Sequence, residues 1–493
     1  MDSIIDSQTV VTVPLIIRGR IIEDNLIEFG GRRGGVTLMT PDVNKYVDEI
    51  TLRNPADLRD WYSLEMEEIL DFLEELGSRL SPSTNPHIRR ALEASIAASS
   101  GLTPEPLRFM YESQRHMLKK ERVKEMIEGV FHEPYLERWV SHQRLDRTIK
   151  VRAFGSRMVH INPGNGIAIA LQSIMNTALL RGDSIIKSPS NDPFTATAIA
   201  LTLIEMAPNH PLTKHITVCY WKGGDEAFER RLYRPNNIEK IVAWGGLSSM
   251  KHVRGYIGPG VDLIALDPKN SCSLIGAEAF DSDDTMRRAA SLLARDVGAF
   301  NQEGCANSRV AYVESGIDEK DIEELNRFGQ MVFEELLRLP SEISSNDHPN
   351  FSAVLRDEIG GIRNNPYFKV FGCKANEGGV IVSQETEQVE FAIHISGRVV
   401  NIVPVNKIEE AYDIGITIDT QTVSIYPESL KDKVRNECAW RGAQRLTSLG
   451  CSSSLSFAQP HDAIEPMRRM ARWLVIEDFR EEDFGNSGLF KVE

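Results

Sequence analysis

The sequence predicts an α/β protein made of two doubly wound parallel sheets with a small strand hairpin beside them. Three observations carry this. Short, almost wholly apolar runs alternate with helical segments over most of the chain beyond residue 147, the pattern of strands buried on both faces between layers of helices. The series starts afresh near residue 270, which makes two units. A chain of 493 residues, at roughly 150 per domain, allows two or three domains. The expected boundaries are 1–268 for an N-terminal region with a nucleotide-binding domain, 269–440 for a second α/β domain carrying a reactive thiol, and 441–493 for a C-terminal segment returning towards the first domain or an oligomer interface.

Residues 1–55 read as short strands around a Gly-rich turn, GGRRGG at 30–35. From about 58 to 130 the pattern is helical. DWYSLEMEEILDFLEELGSRL spaces its apolar residues three and four apart, with Asp60 as a candidate cap and Gly77 weakening the end. A further helical stretch follows Pro106. TIKVRAF and RMVHIN flank Gly155 and read as a hairpin. Next come IAIALQSIMNTALL as helix, DSIIKSP as strand, PFTATAIALTLIEMA as helix, HITVCYW and KIVAWGG as strands, SSMKHVRGYI as helix and VDLIALD as strand. In such a sheet a ligand is expected at the C-terminal strand ends. In the second unit DDTMRRAASLLARDVGAF is helical. RVAYVE, FKVFGC, GGVIVS, VNIVPV and TVSIYP are strands, with helices near 319–338, 407–412 and 428–447. PMRRMARWLVIEDFREEDFG is expected to begin as a helix, end acidic, and lie exposed or against another subunit.

Composition narrows the function. Apolar residues make up 41% and charged residues 26%, as in soluble globular proteins. The 56 basic and 71 acidic residues leave a net charge of −15, which argues against a nucleic-acid partner and against attachment to anionic lipid. No apolar run reaches the roughly 18 residues of a membrane span, and the acidic N-terminus lacks the basic region of a secretory signal. Six scattered cysteines without a CxxC point to free thiols in a reducing cytoplasm and to no zinc site.

Four segments could carry chemistry. In FNQEGCANSR, 300–309, Cys305 follows Gly304 between a helix and a strand. A thiol at such a junction can project into a cleft and act as a nucleophile; an inert, buried loop cysteine is the alternative, and the commoner case. In HINPGNG, 160–166, glycines permit a tight turn and Asn165 stands before a helix, able to donate to an oxyanion or merely to cap. In DSIIKSPS, 183–190, a lysine and serines end a buried strand, which suits a phosphate or ribose. In AWGGLSSM, 243–250, Gly245 and Gly246 precede a helix whose free N–H groups could face a pyrophosphate. Taken singly each is weak. Together, a dinucleotide fold followed by a nucleophilic thiol suggests hydride chemistry on a thiol-bound carbonyl.

At this point the chain resembles the aldehyde dehydrogenase superfamily, and more closely its acyl-CoA reductase branch, the LuxC family of fatty-acid reductases, from about residue 10 to 475. FNQEGCANSR resembles that superfamily's FNQGQ…C…SR segment, which implies Cys305 as nucleophile. PGNG, 163–166, stands at the Pro-Trp-Asn segment and implies Asn165 as oxyanion donor. KSPSNDPF, 187–194, matches K-P-A-E-x-T-P in spacing and implies Lys187 at the adenosine ribose. AWGG, 243–246, resembles the pyrophosphate turn, with Gly245 and Gly246. QTVSIYPESL, GAQRLTSLG and QPHDAIEPMRRMARW are patterns of the acyl-CoA reductase branch. The implied fold is aldehyde-dehydrogenase-like, with a cofactor domain, a catalytic domain and an oligomerisation hairpin.

The departures matter as much. Where aldehyde dehydrogenases carry a water-activating Glu, this chain has LIALDPKNS, 263–271, with Ala265 or a neighbour in that place and Asp267 out of register. Without that base water is a poor acyl acceptor, which fits a reductase. VVNIVPV, 399–405, replaces the Glu-x-Phe-Gly-Pro motif, the third glycine of the pyrophosphate turn is replaced around Met250, and Cys305 to Arg309 is one residue shorter than usual. Ser190 stands where NAD-preferring members carry Glu, so a 2′-phosphate is tolerated and NADPH is expected. The implied activity is NADPH-dependent reduction of an acyl-CoA, or other acyl thioester, to an aldehyde through an acyl-Cys305 intermediate. Its rivals are an aldehyde-oxidising dehydrogenase and a non-redox acyl carrier. His461 is a candidate proton donor or substrate contact, against a structural role capping a turn, which the local sequence favours. A homo-oligomer built through the hairpin and an acyl-activating ligase as partner are further implications of the resemblance.

Overall fold

The computed structural model describes residues 10–30, 36–98, 102–144, 147–164, 167–348, 351–454, 456 and 458–479. The chain forms two compact units. The first takes Met1–Ala94, Tyr111–Asp267 and Phe457–Glu493, and the second takes Ser95–Met110 and Pro268–Ser456.

The first unit is built on a seven-stranded sheet in the order Asp262–Leu266, Lys240–Trp244, Arg157–Ile161, Asp183–Lys187, Ile216–Cys219, Leu15–Ile17, Arg20–Ile22. The first five run parallel, Leu15–Ile17 runs against them, and Arg20–Ile22 turns back antiparallel to Leu15–Ile17. Chain order reverses between Arg157–Ile161 and Lys240–Trp244, so that is the switch point, beside which open α/β sheets bind ligands at their C-terminal strand ends. One face is sealed by Val43, Val47, Ile50, Phe228, Leu232 and Val253. Ile167–Leu180 and Thr195–Met206 are buried almost all round. Helices this apolar belong in a core rather than on a half-wet surface.

The second unit has its own seven-stranded sheet in the order Phe368–Gly372, Gly379–Ser383, Val399–Val405, Ser308–Glu314, Asn270–Ile275, Thr420–Tyr426, Arg445–Ser448. All are parallel except the first, an antiparallel edge. Asp283–Gly298 and Glu319–Leu337 pack on one face through Leu293, Leu325 and Phe328. Ala353–Ile362 and Leu430–Trp440 pack on the other through Leu355, Ile359 and Val434. Both sheets are therefore doubly wound, as the sequence pattern predicts.

Several local expectations change. Arg147–Phe154 and Arg157–Ile161 do not pair with each other. The former lies in a separate three-stranded sheet between Val140–Gln143 and Arg472–Phe479, and the latter is the central strand of the first sheet. The glycine between them marks a close approach rather than a hairpin turn: a Cβ on Gly155 would stand 1.9 Å from the Arg181 carbonyl oxygen. The hairpin is one strand earlier, and the C-terminal run after the short helix Pro466–Met470 is its third strand. Leu430–Trp440 stops well before 447 and is followed by the strand Arg445–Ser448. The first long helix starts at Met66 behind a Glu65/Glu68 capping box, not at Asp60, and it runs through Gly77 to Ser78. Most of the GGRRGG turn and residues 480–493 lie outside the described residues. Among the described residues no helix is long and apolar enough to cross a membrane.

Candidate active site

In the first unit the parallel strands end together at Ile161, Lys187, Cys219, Trp244 and Leu266. Ile161, Lys187 and Cys219 sit in register across three neighbouring strands. Lys187 is largely buried. Its Nζ lies 5.2 Å from the Trp221 ring centroid and 5.8 Å from that of Tyr220. Burial pushes the ammonium below the usual lysine range, with Glu229 and Cys219 opposing. An ammonium left against aromatic faces with no carboxylate at ion-pair distance is a site for an incoming oxygen ligand. The next residue, Ser188, has a buried Oγ without a hydrogen-bond partner among the described residues. Ser190 is exposed.

Gly245 and Gly246 follow the neighbouring strand end, and Gly246 caps Leu247–Arg254 without any side-chain bond to its N–H groups. No atom comes within 4 Å of where a Gly246 Cβ would stand. The helix start is thus open to an anion. An anionic dinucleotide fits these features: a serine without a partner among the described residues, a desolvated lysine and an uncapped helix N-terminus along one sheet edge. Met250, in place of a third glycine, is buried.

Asn165 and Gly166 lie outside the described residues, but the turn leading to them is tightly made. Asn191 Nδ2 donates to the Gly164 carbonyl at 2.6 Å, and a Cβ on Gly164 would stand 1.7 Å from Asn191 Oδ1. The KSPSN and PGNG loops are therefore pinned to each other. The His461 ring stacks obliquely on Trp244, centroids 5.3 Å apart, beside Gly245. Its backbone closes a turn with Ile464, in which Asp462 and Ala463 both have positive φ. His461 also lines a cavity with Met126, Gln172, Asn176 and Met467. Asp267, the acid nearest the missing catalytic Glu, accepts two hydrogen bonds from Arg254, at 2.8 and 3.1 Å.

In the second unit Cys305 sits in the turn between Asp283–Gly298 and Ser308–Glu314. The approach is unusual: Phe300, Asn301 and Gln302 all have positive φ, at 50, 54 and 63°. Three such non-glycine residues in a row persist only where surrounding bonds over-determine them. Here Asn301 Oδ1 accepts the Ser345 N–H at 2.8 Å. Gln302 donates to the carbonyls of Ser308 and Val399, at 2.8 and 2.7 Å, and accepts the Val399 N–H at 2.9 Å. Asn307 accepts the Gly304 N–H at 3.0 Å and donates to Asp296 and Ala299 carbonyls, at 2.9 and 3.1 Å. The Ser271 hydroxyl holds the Cys305 carbonyl at 2.7 Å. The thiol donates to Gln421 Oε1 at 3.1 Å.

Cys305 is half-buried, whereas Cys219, Cys272, Cys373 and Cys438 are buried. Burial pushes those four thiols up to about 12, 12, 12 and 11, which leaves them protonated and inert. The Arg309 guanidinium is pushed below its usual range by burial, while Cys305 and Glu303 pull it back. Arg309 reaches Asn270 Oδ1 at 3.2 Å. Val399–Val405, where the Glu-x-Phe-Gly-Pro motif is absent, is buried throughout. The sequence reading missed Gln302, Asn307, Ser271 and Gln421. The one available signal for Gln421 was a long amide among the small hydroxyl and apolar residues of its strand. Among the described residues no group of three or more His, Cys, Asp or Glu could hold a metal.

Residues 62–473 match the family model described as acyl-CoA reductase (LuxC). The long-chain acyl-protein thioester reductase of Vibrio harveyi is 26% identical over 476 residues, covering 94% of this chain and 93% of that protein. The long-chain acyl-protein thioester reductase of Aliivibrio fischeri is 24% identical over 436 residues, covering 87% and 86%. Among solved structures, aldehyde dehydrogenase 21 from Physcomitrella patens superposes with a TM-score of 0.72 at 12% identity, over 98% of this chain and 100% of that one. Lactaldehyde dehydrogenase from Escherichia coli superposes at 0.67 with 15% identity, over 95% and 99%. The fold is thus that of the aldehyde dehydrogenases.

Proposed function

We propose a reaction from one premise: this chain belongs to the acyl-CoA reductase (LuxC) family. The reaction is the reduction of an acyl thioester to an aldehyde, with Cys305 as the covalent carrier. The observation that carries it is the Cys305 turn, which five side chains hold, Gln421 at the half-buried thiol itself and the others at the surrounding backbone, while the four buried thiols are suppressed.

Cys305, as thiolate, attacks the acyl carbonyl; a C–S bond forms and the donor thiolate leaves, taking up a proton. Asn165 is the proposed donor to the oxyanion. Cys305 then holds the acyl group as a thioester and is released as thiolate when the reduced carbon departs as aldehyde. NADPH, when bound, supplies the hydride. Lys187 and Ser190 would hold its adenosine ribose and 2′-phosphate, and the N–H groups after Gly245 and Gly246 its pyrophosphate. Asp267 is engaged by Arg254, which supports the reading that it does not replace the water-activating Glu.

The named relatives act on acyl-protein thioesters, so an acyl-protein donor, delivered by an activating ligase, stands beside acyl-CoA as substrate. A homo-oligomer is supported by Arg472–Phe479, an edge strand among the described residues that carries Leu474 and Val475, each about half exposed; water-facing apolar residues on a sheet edge are the usual mark of a partner strand. His461, whose ring lies against Trp244, is the candidate proton donor or substrate contact.

The test is NADPH oxidation over a panel of acyl-CoAs and acyl-protein thioesters, with wild type and Cys305→Ala. Acyl-dependent oxidation lost in the variant is the expected result. Equal activity in both would overturn Cys305 as nucleophile. Acylation of Cys305 without NADPH oxidation would point to a non-redox carrier.

A further inference from the structure

We propose that Gln421 is the positioning residue of the thiol, holding the sulfur of Cys305 from the neighbouring strand; this rests on Cys305 being the nucleophile. The sulfur–oxygen distance is 3.1 Å, within the reach of an S–H donor. Gln421 is 3% exposed and is the second residue of Thr420–Tyr426, so its side chain starts from a rigid, buried strand rather than from a loop.

The grip has two points. The Ser271 hydroxyl donates to the Cys305 carbonyl at 2.7 Å and accepts the Thr422 N–H at 3.1 Å. Thr422 directly follows Gln421. One pair of hydrogen-bonded strands therefore fixes both the backbone of Cys305, through Ser271, and its side chain, through Gln421. A residue held at its carbonyl and at its sulfur has little freedom left about its one χ angle, and a nucleophile so held needs less ordering at the moment of attack.

The chemistry of the group suits the task. A carboxylate at this place would repel a thiolate. An aliphatic chain would remove this bond to the sulfur. A primary amide is neutral and has both an acceptor oxygen and donor N–H groups. The oxygen accepts from the thiol, and a turn about the terminal torsion, which is soft, presents an N–H to the thiolate. The same residue can follow the sulfur through deprotonation without adding charge.

The experiment compares wild type, Gln421→Glu and Gln421→Leu, each checked by thermal unfolding. Alkylation of Cys305 by iodoacetamide is followed by peptide mass spectrometry between about pH 5 and 10. In Gln421→Glu, an isostere that fits the same space, the alkylation midpoint should rise by about one pH unit or more. In Gln421→Leu, single-turnover acylation of Cys305 should slow about tenfold or more with the KM for NADPH unchanged. A wild-type midpoint in Gln421→Glu together with a wild-type acylation rate in Gln421→Leu overturns the proposal. A wild-type Cys305 that takes no acyl group overturns the parent reading instead, and the alkylation midpoint still decides the contact with Gln421.

Discussion

The two units meet the demands of their sites in opposite ways. Around Cys305, Asn301, Gln302, Asn307, Ser271 and Gln421 hold backbone and sulfur with directed bonds, and three residues are kept at positive φ to bring the thiol to its place. Along the proposed nucleotide edge, Ser188 Oγ has no partner among the described residues, Lys187 faces aromatic rings, and Gly246 leaves its helix start uncapped. A covalent nucleophile must be placed by the protein to a fraction of an ångström, because nothing else places it. A dinucleotide brings its own oxygens, and they satisfy whatever the protein leaves open. The thiol edge is therefore over-determined, and the nucleotide edge is under-satisfied. Mutations in the first should cost kcat or folding, and mutations in the second should cost KM.

The largest expected effect is at Cys305. Cys305→Ala should lower acyl-dependent NADPH oxidation by about a thousandfold or more, while NADPH binding by fluorescence titration and thermal unfolding stay at wild-type values. Dinucleotide affinity falling in step with activity would break the separation of roles. Next comes the scaffold. Gln302→Leu removes three buried hydrogen bonds, to the carbonyls of Ser308 and Val399 and from the Val399 N–H. That should cost about 2–4 kcal/mol in chemical denaturation, with activity lost beyond what the folded fraction explains. Gly164→Ala belongs to the same class, since its Cβ would meet Asn191 Oδ1 at 1.7 Å.

The nucleotide edge should respond more mildly. Lys187→Met keeps the length of the stem in its aromatic niche and removes the charge. The KM for NADPH should rise about 10- to 100-fold, as for a lost charged contact of roughly 1.5–3 kcal/mol, with kcat nearly unchanged. Ser190→Glu should move preference towards NADH by about tenfold or more, because a carboxylate repels a 2′-phosphate. An unchanged NADPH/NADH ratio would remove Ser190 from the site. A fall in kcat with KM untouched in Lys187→Met would erase the contrast between the two edges.

How much of this was legible in the sequence follows from the same contrast. The parallel strands were readable because residues such as those of Gly379–Ser383 and Val399–Val405 are buried on both faces, so the apolar run carries the signal without help from distant partners. Gly155 misled, because a glycine needed for close approach to Arg181 looks, in one dimension, like a glycine needed for a turn. Arg445–Ser448 is half-buried at every position, so it shows no alternation and was absorbed into the preceding helix. Cys305 stood out by its neighbours in the chain. Gln421 did not, because it is 116 residues away and its meaning exists only once the two strands are side by side. Lys187 was legible as a strand-end lysine, but not its aromatic niche, since Trp221 comes from the next strand.

The smallest expected effects lie at the opposite end of the first unit's sheet from Lys187, where two histidines make a comparison of their own. His215 Nδ1 lies 3.2 Å from Asp183 and Nε2 lies 2.9 Å from Asp60, with Arg18 also bound to Asp183. Burial would lower its pKa, but the two carboxylates outweigh it and the net shift is upward. His210 stacks on Phe72 with centroids 3.5 Å apart and accepts the Leu212 N–H on Nδ1 at 3.1 Å, a bond only the neutral ring can make. Burial takes its pKa down to about 4. The signs are opposite. The stabilisation from His215 is fully present below the ordinary histidine pKa of about 6.5 and is lost as pH rises through its raised folded value. The stabilisation from His210 is present above about 6.5 and is lost as pH falls towards about 4. Each His→Gln variant should lower Tm by about 1–2 °C, as about 1 kcal/mol does in a protein of this size. The gap between wild type and His215→Gln should close as pH rises, and that for His210→Gln should close as pH falls. Neither variant should alter the Cys305 alkylation midpoint; a shift there would mean that the nucleotide unit's far edge and the thiol are coupled, and that the division of labour between the two units is incomplete.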